Sequence, residues 1–182
     1  AYPSEIAKLL DLRLGKWVQS DKFVPEAEYG YCNGKITINS NVKFSPFFFR
    51  ADYNKDLPAN YATVGTWDKF ISKKGIEFLE KYKIGRYEIE DGWWWIPGKK
   101  VRPLEACINW LYMEKENSSG DKRDTIKRLT SAIFGKMLEM RKGENGDIYI
   151  GNMVNPVWAA ETEVNTRLKV AEFVIKNSVM PI

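Results

Sequence analysis

The chain has 182 residues, of which 44% are hydrophobic and 14% aromatic, with a formal net charge of +4 and no histidine. This composition excludes a disordered chain and is sufficient for one sizeable domain or a compact pair. The lack of histidine excludes Cys/His zinc sites and every Ser-His-Asp arrangement. The mild net charge means that any nucleic-acid role depends on where the charges are placed.

The two cysteines, Cys32 and Cys107, are far apart and belong to no CxxC motif. We therefore expect two free thiols in a reducing compartment. The sequence shows no signal-peptide pattern and no apolar run long enough to cross a bilayer, so we expect a cytoplasmic protein with no membrane partner. It begins with Ala inside a patterned segment, and we expect it to be a fragment of a larger protein.

The chain opens with helical periodicity and then changes to a period of two. Apolar spacing predicts a helix over Pro3–Leu12, with Ser4 as its cap and Gly15 at its end. From Lys16 to Ala51 the alternation of apolar and polar residues predicts strands. The polar stretch Asp52–Thr63 predicts a loop.

Two dipeptides predict β-hairpins, because Asn-Gly and Asp-Gly favour the positive φ of a two-residue loop. The first, Asn33-Gly34, joins the predicted strands Glu26–Cys32 and Lys35–Asn39. The second, Asp91-Gly92, joins Arg86–Glu90 to Trp93–Ile96.

Aromatic residues form two consecutive runs. Phe47–Phe49 ends the predicted strand Val42–Arg50, and core packing is its expected role. In Trp93–Trp95 at most two rings share a face, because successive strand residues alternate. Burial in a core or interface is favoured for them over stacking on nucleic-acid bases.

The next predicted elements are a helix and a basic loop. Trp67–Tyr82 has helical spacing, but Gly75 and its neighbouring lysines place the true start of the helix near Ser72. Gly98–Arg102 is basic and suits either a phosphate backbone or solvent.

A pair of helices follows, and it is the part of the sequence richest in functional signals. The first helix opens at Arg102-Pro103 and runs to Lys115, and a polar turn at Asn117–Gly120 leads into the second. On the second helix Arg123, Lys127 and Ser131 share one face, with Phe134 after them. The stripe expected to be buried consists of Ile126, Leu129, Ile133 and Met137.

The face of Arg123, Lys127, Ser131 and Phe134 suits a polyphosphate joined to an aromatic base. Helical cations offer charge to phosphate oxygens, and a ring can stack on a base. A solvated helix surface shows the same spacing, and this alternative stays open.

The C-terminal part predicts a hairpin and a long helix. Glu144–Gly146 is the turn signal, followed by the strand Asp147–Ile150. Asn155-Pro156 then starts the last helix.

Lys127–Lys136, with the sequence KRLTSAIFGK, resembles the fingers motif of family B DNA polymerases. That motif has Lys, three residues, Asn-Ser, any residue and Tyr-Gly, often followed by Lys. Lys115 and Arg123 match two further fingers cations of the protein-primed, phage-type branch. Ser131 stands where Asn is usual and Phe134 where Tyr is usual, so the ring is kept and its hydroxyl is lost.

Two other segments extend the resemblance to the polymerase palm. Tyr2-Pro3-Ser4 resembles the end of the motif Asp-x-x-Ser-Leu-Tyr-Pro-Ser, in which the tyrosine excludes a 2′-hydroxyl. Arg167 matches the arginine of a primer-holding Thr-x-x-Gly-Arg pattern, with Glu163 and Thr166 in place of its threonine and glycine. The metal-binding aspartates of the family are expected outside the chain, so no metal ligand is expected within it.

The resemblance implies an α+β fold with a partial antiparallel palm sheet, hairpins, flanking helices and an antiparallel helical pair as the fingers. It implies a palm part with strand and hairpin insertions at residues 1–102 and fingers at 103–140. A palm hairpin and helix are implied at 141–182.

The function implied is that of a fragment of a DNA-directed DNA polymerase from a phage, virus or mobile element, inactive alone. Its implied partners are dNTP, primer–template DNA and the remaining polymerase domains. Mg²⁺ is the implied cofactor of the parent enzyme. The implied nucleotide-binding residues are Tyr2, Lys115, Arg123, Lys127, Ser131, Phe134 and Gly135. The implied DNA contacts are Lys136 and Arg167.

Two alternatives remain open. A non-catalytic nucleic-acid-binding or interaction module would depend on Lys127 no more than on Lys99 or Lys100. One half of a split polymerase would regain activity when mixed with its other half. A homodimer through an exposed edge of the palm sheet is a further expectation.

Overall fold

The structure, a computed structural model, describes residues 2–40, 45–50 and 61–177, without the side chains of residues 2, 49, 50, 61 and 62. Within these residues the helices are α1 (Tyr2–Ile6), α2 (Lys73–Tyr82), α3 (Glu105–Glu116), α4 (Gly120–Lys136) and α5 (Pro156–Asn177). The strands are β1 (Gly15–Gln19), β2 (Tyr29–Ile38), β3 (Phe49–Arg50), β4 (Tyr61–Ala62), β5 (Gly65–Ser72), β6 (Gly85–Pro97), β7 (Met140–Lys142) and β8 (Ile148–Ile150). The α+β class is confirmed.

Contacts divide the chain into two compact units. Unit 1 comprises residues 1–14 and 99–166, and unit 2 comprises residues 15–98 and 167–182. These boundaries differ from the predicted palm and fingers segments, which stay a prediction.

Unit 2 is built on a four-stranded antiparallel sheet in the order β1-β6-β2-β5. β6 is 13 residues long and pairs with β1 on one side and with β2 on the other. In the described part of this sheet β1 and β5 are the edges. The predicted pairing of two copies would have to use one of them, and it stays a prediction.

Both hairpins predicted in this region are wrong. Asn33-Gly34 lies inside β2 and Asp91-Gly92 inside β6, and Asn33 pairs with Asp91. The register shifts between Asn33 and Gly34, which makes a β-bulge. A Cβ on Gly34 would lie 1.9 Å from the carbonyl oxygen of Glu88. Glycine is therefore needed here for the close approach of two strands and not for a turn.

The consecutive tryptophans of β6 supply much of the core of unit 2. Trp94 and Trp95 are fully buried, whereas Trp93 is 50% exposed. Trp95 stacks on Tyr29 with ring centroids 5.3 Å apart, and Trp94 meets Phe23 edge-on at 5.4 Å. The predicted burial of this run is confirmed for two of its three rings.

α2 follows β5 directly and packs on the sheet through buried Ile76 and Leu79. The Ser72 side chain caps the helix by accepting a hydrogen bond from the Gly75 N–H. The predicted start near Ser72 is therefore confirmed. Trp67–Ile71, with helical spacing in the sequence, belongs instead to β5.

The phenylalanine run divides between core and surface. Phe47 is buried, but Phe48 is 43% exposed, so core packing is wrong for Phe48. β3 pairs with β4, so the predicted loop Asp52–Thr63 contains strand residues near its end. The rest of that loop and residues 41–44 of the predicted strand lie outside the described residues.

In unit 1, α1, α3 and α4 pack around one apolar cluster. Its buried members are Ile6, Ala7, Leu9, Ile108, Leu111, Ile126, Met137 and Ala159. α3 and α4 pack together across the turn 117–119, which confirms the predicted helical pair. The expected burial of Leu129 is wrong, because it is 52% exposed and Thr130 is buried beside it.

The first helix is shorter than predicted. α1 ends at Ile6, although Leu9 and Leu10 are buried as their spacing implied. Ser4 lies inside the helix and does not cap it, and Gly15 opens β1. After α1 the chain turns, with the Leu9 N–H donating to the Ile6 carbonyl, and it is then tied to a distant segment by the Asp11 N–H, which donates to the Val101 carbonyl.

The predicted C-terminal elements are confirmed. β7 and β8 form a hairpin whose turn contains Gly146 at φ +88°. α5 begins at Pro156, and the Asn155 carboxamide oxygen accepts a hydrogen bond from the Trp158 N–H. None of the described helices is both long and apolar enough to span a membrane.

Candidate functional site

Unit 1 contains a cleft of about 450 Å³ between the start of α1 and the two paired helices. Its lining residues are Pro3, Leu111, Tyr112, Lys115, Lys127, Thr130, Ser131 and Phe134. The lining therefore combines two lysines, two hydroxyl side chains and two aromatic rings. Four of these eight residues were predicted to bind nucleotide.

α4 presents Lys127 and Ser131 to the cleft from adjacent turns. Both side chains are exposed, and so is Arg123 one turn earlier. The helical spacing gives these residues a common face, as predicted. Arg123 is not among the residues that line this cleft.

The ammonium of Lys127 has no ionic partner in the described part of the chain. Lys127 and Ser131 also line a second hollow on α4, together with Asp124, Arg128 and Ala132. Of the residues that line this hollow, Asp124 is the one with a carboxylate. An anion in the cleft would therefore meet a cation whose charge is free to pair with it.

Lys115 reaches the cleft from α3. Its Nζ lies 4.9 Å from the centre of the Tyr112 ring and 3.2 Å from Oε1 of Glu116. The lysine side chain is 26% exposed. The ring holds the ammonium by a cation–π contact and limits the positions that it samples.

Tyr112 is one of four cleft residues that the sequence did not predict as part of the site; the others are Pro3, Leu111 and Thr130. Tyr112 precedes Lys115 by three residues, which places both on one side of α3. That spacing from an already selected lysine is the signal that could have identified it. The side chain is partly buried and packs against the apolar cluster of unit 1.

Phe134 is half-buried, packing against the apolar cluster while lining the cleft. It is therefore neither a free surface ring nor a core residue. The nearby Thr130 hydroxyl lies 2.9 Å from the carbonyls of Ile126 and Lys127, so it donates its hydrogen bond within the helix. The cleft can thus present an aromatic ring to a ligand.

Ser131 and Gly135 contribute less to ligand binding in the cleft than their spacing on the helix predicted. The Ser131 hydroxyl donates to the Lys127 carbonyl oxygen over 3.1 Å, so it must rotate to donate to a ligand. Gly135 is exposed, and a Cβ placed on it meets nothing within 4 Å. Packing therefore does not explain the glycine.

The other predicted residues do not line the cleft, or their side chains are outside the described residues. Tyr2 opens α1, but its side chain is outside the described residues. The Lys136 ammonium is bound by both carboxylate oxygens of Glu139, at 2.8 and 2.7 Å. Hydrogen bonds from Lys136 and then Arg141 lower the pKa of Glu139. A DNA phosphate would have to compete with that carboxylate for Lys136.

Arg167 lies on α5 in the part that belongs to unit 2. Its Nε is buried and has no hydrogen-bond partner among the described residues. A buried guanidinium nitrogen without an acceptor is energetically costly.

The described side chains do not form a set of ligands suited to magnesium. Within residues 2–40, 45–50 and 61–177 no three acidic or cysteine side chains converge on a point that could hold a metal ion. Mg²⁺ prefers several oxygen ligands with carboxylates among them. No step is therefore assigned to a metal bound by this part of the chain.

No protein-family model matches the sequence, and no curated protein matches it either. Solved structures do match the fold. Phi29 DNA polymerase in an orthorhombic crystal form has a TM-score of 0.62 and 13% identity over 95% of this chain and 34% of that chain. Phi29 DNA polymerase complexed with primer-template DNA and incoming nucleotide substrates has a TM-score of 0.59 and 13% identity, covering 93% of this chain and 34% of that chain.

A third match is the Phi29 DNA polymerase complexed with primer-template DNA, a post-translocation binary complex, with a TM-score of 0.54 and 14% identity over 88% of this chain and 31% of that chain. The chain thus spans about a third of the length of these polymerases. At this level of identity the likeness concerns the fold alone. The chain has a polymerase-like fold.

Proposed function

We propose that the cleft of unit 1 binds the triphosphate of a dNTP and that the chain is a fragment of a family B DNA-directed DNA polymerase of the phage type. The observation that carries this proposal is the convergence of Lys115 and Lys127, from two helices, on one cleft that also holds two rings. Two converging cations suit a polyphosphate better than a single charge does.

Each residue then has a separate role in the proposal. Lys115 and Lys127 neutralise the triphosphate, and Arg123 adds a third positive charge from the helix face that carries Lys127. Phe134 packs on the base pair, while Ser131 and Gly135 shape the wall beside it. Tyr2 excludes a 2′-hydroxyl from the sugar position by a clash.

DNA and magnesium complete the proposal. Lys136 and Arg167 contact primer–template DNA, for which two of the matched polymerase structures supply the analogy. Mg²⁺ accompanies the triphosphate and is held by residues of the polymerase that lie outside the described set. A palm at residues 1–102 and 141–182, fingers at 103–140 and pairing of two copies at a sheet edge are also proposals.

Calorimetric titration of the 182-residue chain with dATP tests the cleft. Lys127→Ala should weaken dATP binding roughly tenfold, since a hydrogen bond to a charged group is lost. Lys122→Ala is the matched control, because Lys122 is a lysine of the same helix that pairs with Glu114 at 2.9 Å. Equal losses in both variants, or no dATP binding, would contradict the proposal.

The same variants separate the polymerase from a binding module. A module would bind single-stranded DNA in a salt-sensitive way, with Lys127 no more important than Lys99 or Lys100. We also expect no primer extension by the 182-residue chain with Mg²⁺. Extension that persisted through purification and disappeared in Lys127→Ala would show that this expectation is wrong.

A further inference from the structure

The sheet of unit 2 has one open face, which lies away from α2. On the covered face Cys32 and Ile71 pair in register and are buried, and a Cβ on Gly75 of α2 would lie 2.6 Å from the Ile71 side chain. On the open face Phe70 is 58% exposed and Trp93 is 50% exposed. Large apolar side chains that are exposed as a group, and not singly, mark interaction sites.

Tyr31 joins the exposed rings into one surface. It lies opposite Trp93 in the pairing of β2 with β6. Its ring is parallel to that of Phe70 within 4°, with centroids 6.0 Å apart, and its centroid lies 6.5 Å from that of Trp17. The four strands therefore each contribute one ring to what we call the aromatic band, which consists of Trp17, Trp93, Tyr31 and Phe70.

Buried neighbours fix the position of the aromatic band. Trp95 follows Trp93 by two residues and so lies on the same face of β6. It is fully buried and stacks on Tyr29 of β2, with ring centroids 5.3 Å apart. The strands that carry the aromatic band are therefore held by core contacts, and ordering them for a partner costs little conformational entropy.

A carboxylate lies in the same row of paired residues as one of these rings. Asp91 pairs in register with Asn33, and Asn33 pairs with Phe70 on its other side. The Gln19 Nε2 donates to both carboxylate oxygens of Asp91, at 3.1 and 3.3 Å, and no cation within the described residues pairs with this carboxylate. The register also places two cations and two further carboxylates on this face: Lys35, Arg86, Asp68 and Glu88.

These charges leave one negative charge in excess on the open face, next to the rings. A nucleic acid would bring its phosphates to a surface without surplus positive charge, and binding of nucleic acid depends mainly on such charge. A partner that carries a positive charge is complementary to this face.

The rings and the hydrogen-bond donor of the aromatic band suit a proline-rich peptide. The Trp93 indole N–H makes no hydrogen bond to another described residue, so it can donate to a carbonyl oxygen of a partner. A polyproline II helix has no internal hydrogen bonds and keeps its carbonyl groups exposed. Proline-rich segments in this conformation dock on surfaces lined by aromatic rings, and they are largely ordered before they bind.

We propose that the aromatic band binds a proline-rich peptide with a basic residue next to its prolines. Proline rings pack on Trp93 and Phe70, the Trp93 indole N–H donates to a peptide carbonyl oxygen, and the basic residue pairs with Asp91. The site belongs wholly to unit 2. Binding there needs neither the nucleotide cleft nor polymerase activity.

Fluorescence anisotropy with a labelled oligoproline that ends in Arg-Arg tests the site in the 182-residue chain. Trp93→Ala and Phe70→Ala should each weaken peptide binding roughly tenfold, because a central aromatic contact is lost. Trp110→Ala is the matched control, since Trp110 of α3 is 56% exposed but belongs to unit 1. Equal losses in Trp93→Ala and Trp110→Ala, or no binding at millimolar peptide, would overturn the proposal.

A second peptide tests the charge. An oligoproline that ends in Glu-Glu should bind more weakly, and Asp91→Asn should reduce this preference about two- to fivefold. Equal affinity of the wild type for both peptides would overturn the role of Asp91. Trp93→Phe keeps a ring and removes the N–H donor, so it should weaken binding less than Trp93→Ala does. If the two variants lost affinity equally while both kept the wild-type melting temperature, packing on this ring would be rejected.

Other occupants of the open face give different results. Oligothymidylate that displaces the peptide and needs Trp93 would assign the face to single-stranded nucleic acid and overturn the proposal. A concentration-dependent dimer, detected by sedimentation and abolished by Trp93→Ala, would assign it to a second copy of the chain. The dATP affinity should be unchanged in Trp93→Ala, and its loss would show that the substitution disturbs more than this face.

Discussion

The two units hold their cations in different surroundings. In unit 1, Lys127 is exposed and Lys115 is steadied by the Tyr112 ring and Glu116. In unit 2, Lys69 and Arg167 are half-buried, and the Arg167 Nε lacks an acceptor among the described residues. Helical spacing can indicate cations that share one helical pair, as Lys115 and Lys127 do. It carries no information about cations on segments that are distant in sequence.

The supporting frameworks differ as well. Unit 2 rests on large buried rings in a continuous sheet, whereas the wall of the unit 1 cleft is made of a few side chains on paired helices. Changes to the framework of unit 2 should therefore cost stability, and changes to the cleft should cost affinity. The following predictions test that distinction.

The largest effect is expected from Trp94→Ala. Removing this fully buried ring should destabilise unit 2 by about 3–5 kcal/mol, because a large cavity is left. Chemical denaturation of the variant beside Trp93→Ala measures the difference, since Trp93 is half exposed. Equal losses in the two variants would contradict the placement of these rings.

The second-largest loss of stability is expected from Gly34→Ala. The added Cβ would meet the Glu88 carbonyl oxygen, so we expect a loss of about 1–3 kcal/mol or more. Gly135→Ala is the control, because a Cβ there meets nothing nearby and alanine favours the helix. If Gly34 instead occupied a hairpin turn, its substitution would change the local strand pairing and not the whole unit, which hydrogen exchange would reveal.

Tyr112→Leu should act on affinity and leave stability nearly unchanged. Leucine keeps the apolar packing but removes the ring beneath the Lys115 ammonium, a contact of about 0.5–1 kcal/mol. We expect dATP binding to weaken about two- to fivefold. Unchanged affinity together with a reduced melting temperature would assign Tyr112 to packing alone.

The smallest effect concerns acid stability in unit 2. Hydrogen bonds from Tyr82, then Lys81 and Lys176, lower the pKa of Glu172 from its usual 4.5 to about 2. A lowered pKa stabilises the fold above the unfolded value, and this contribution is lost as pH falls from about 4.5 to 2. Melting curves of the wild type and Glu172→Gln should therefore converge over that range. A constant gap would show that the charge of Glu172 is not responsible.

Local signals were reliable where one segment forms its own structure. The helical pair, the Gly146 hairpin and the start of α5 follow from spacing and caps near each other in sequence. Of the predicted nucleotide residues, Lys115, Lys127, Ser131 and Phe134 line one cleft. Their roles toward a nucleotide stay predictions.

The failed hairpin and helix predictions in unit 2 have one cause, which is that the same local sequence pattern occurs in more than one type of structure. Asn33-Gly34 and Asp91-Gly92 each resemble a hairpin turn, but they meet at a bulge between two long strands. Trp67–Ile71 has helical spacing, yet its cross-strand pairing places it in β5. Pairing partners distant in sequence decided both cases.

By itself, the sequence determined the helical pair and the cations on it, because these depend on periodicity within single segments. Tertiary structure alone decided which glycines mark a bulge, that Thr130 and not Leu129 is buried, and that Tyr112 joins the cleft. Burial and charge proximity depend on what the folded chain brings together, and no short window of sequence contains that information.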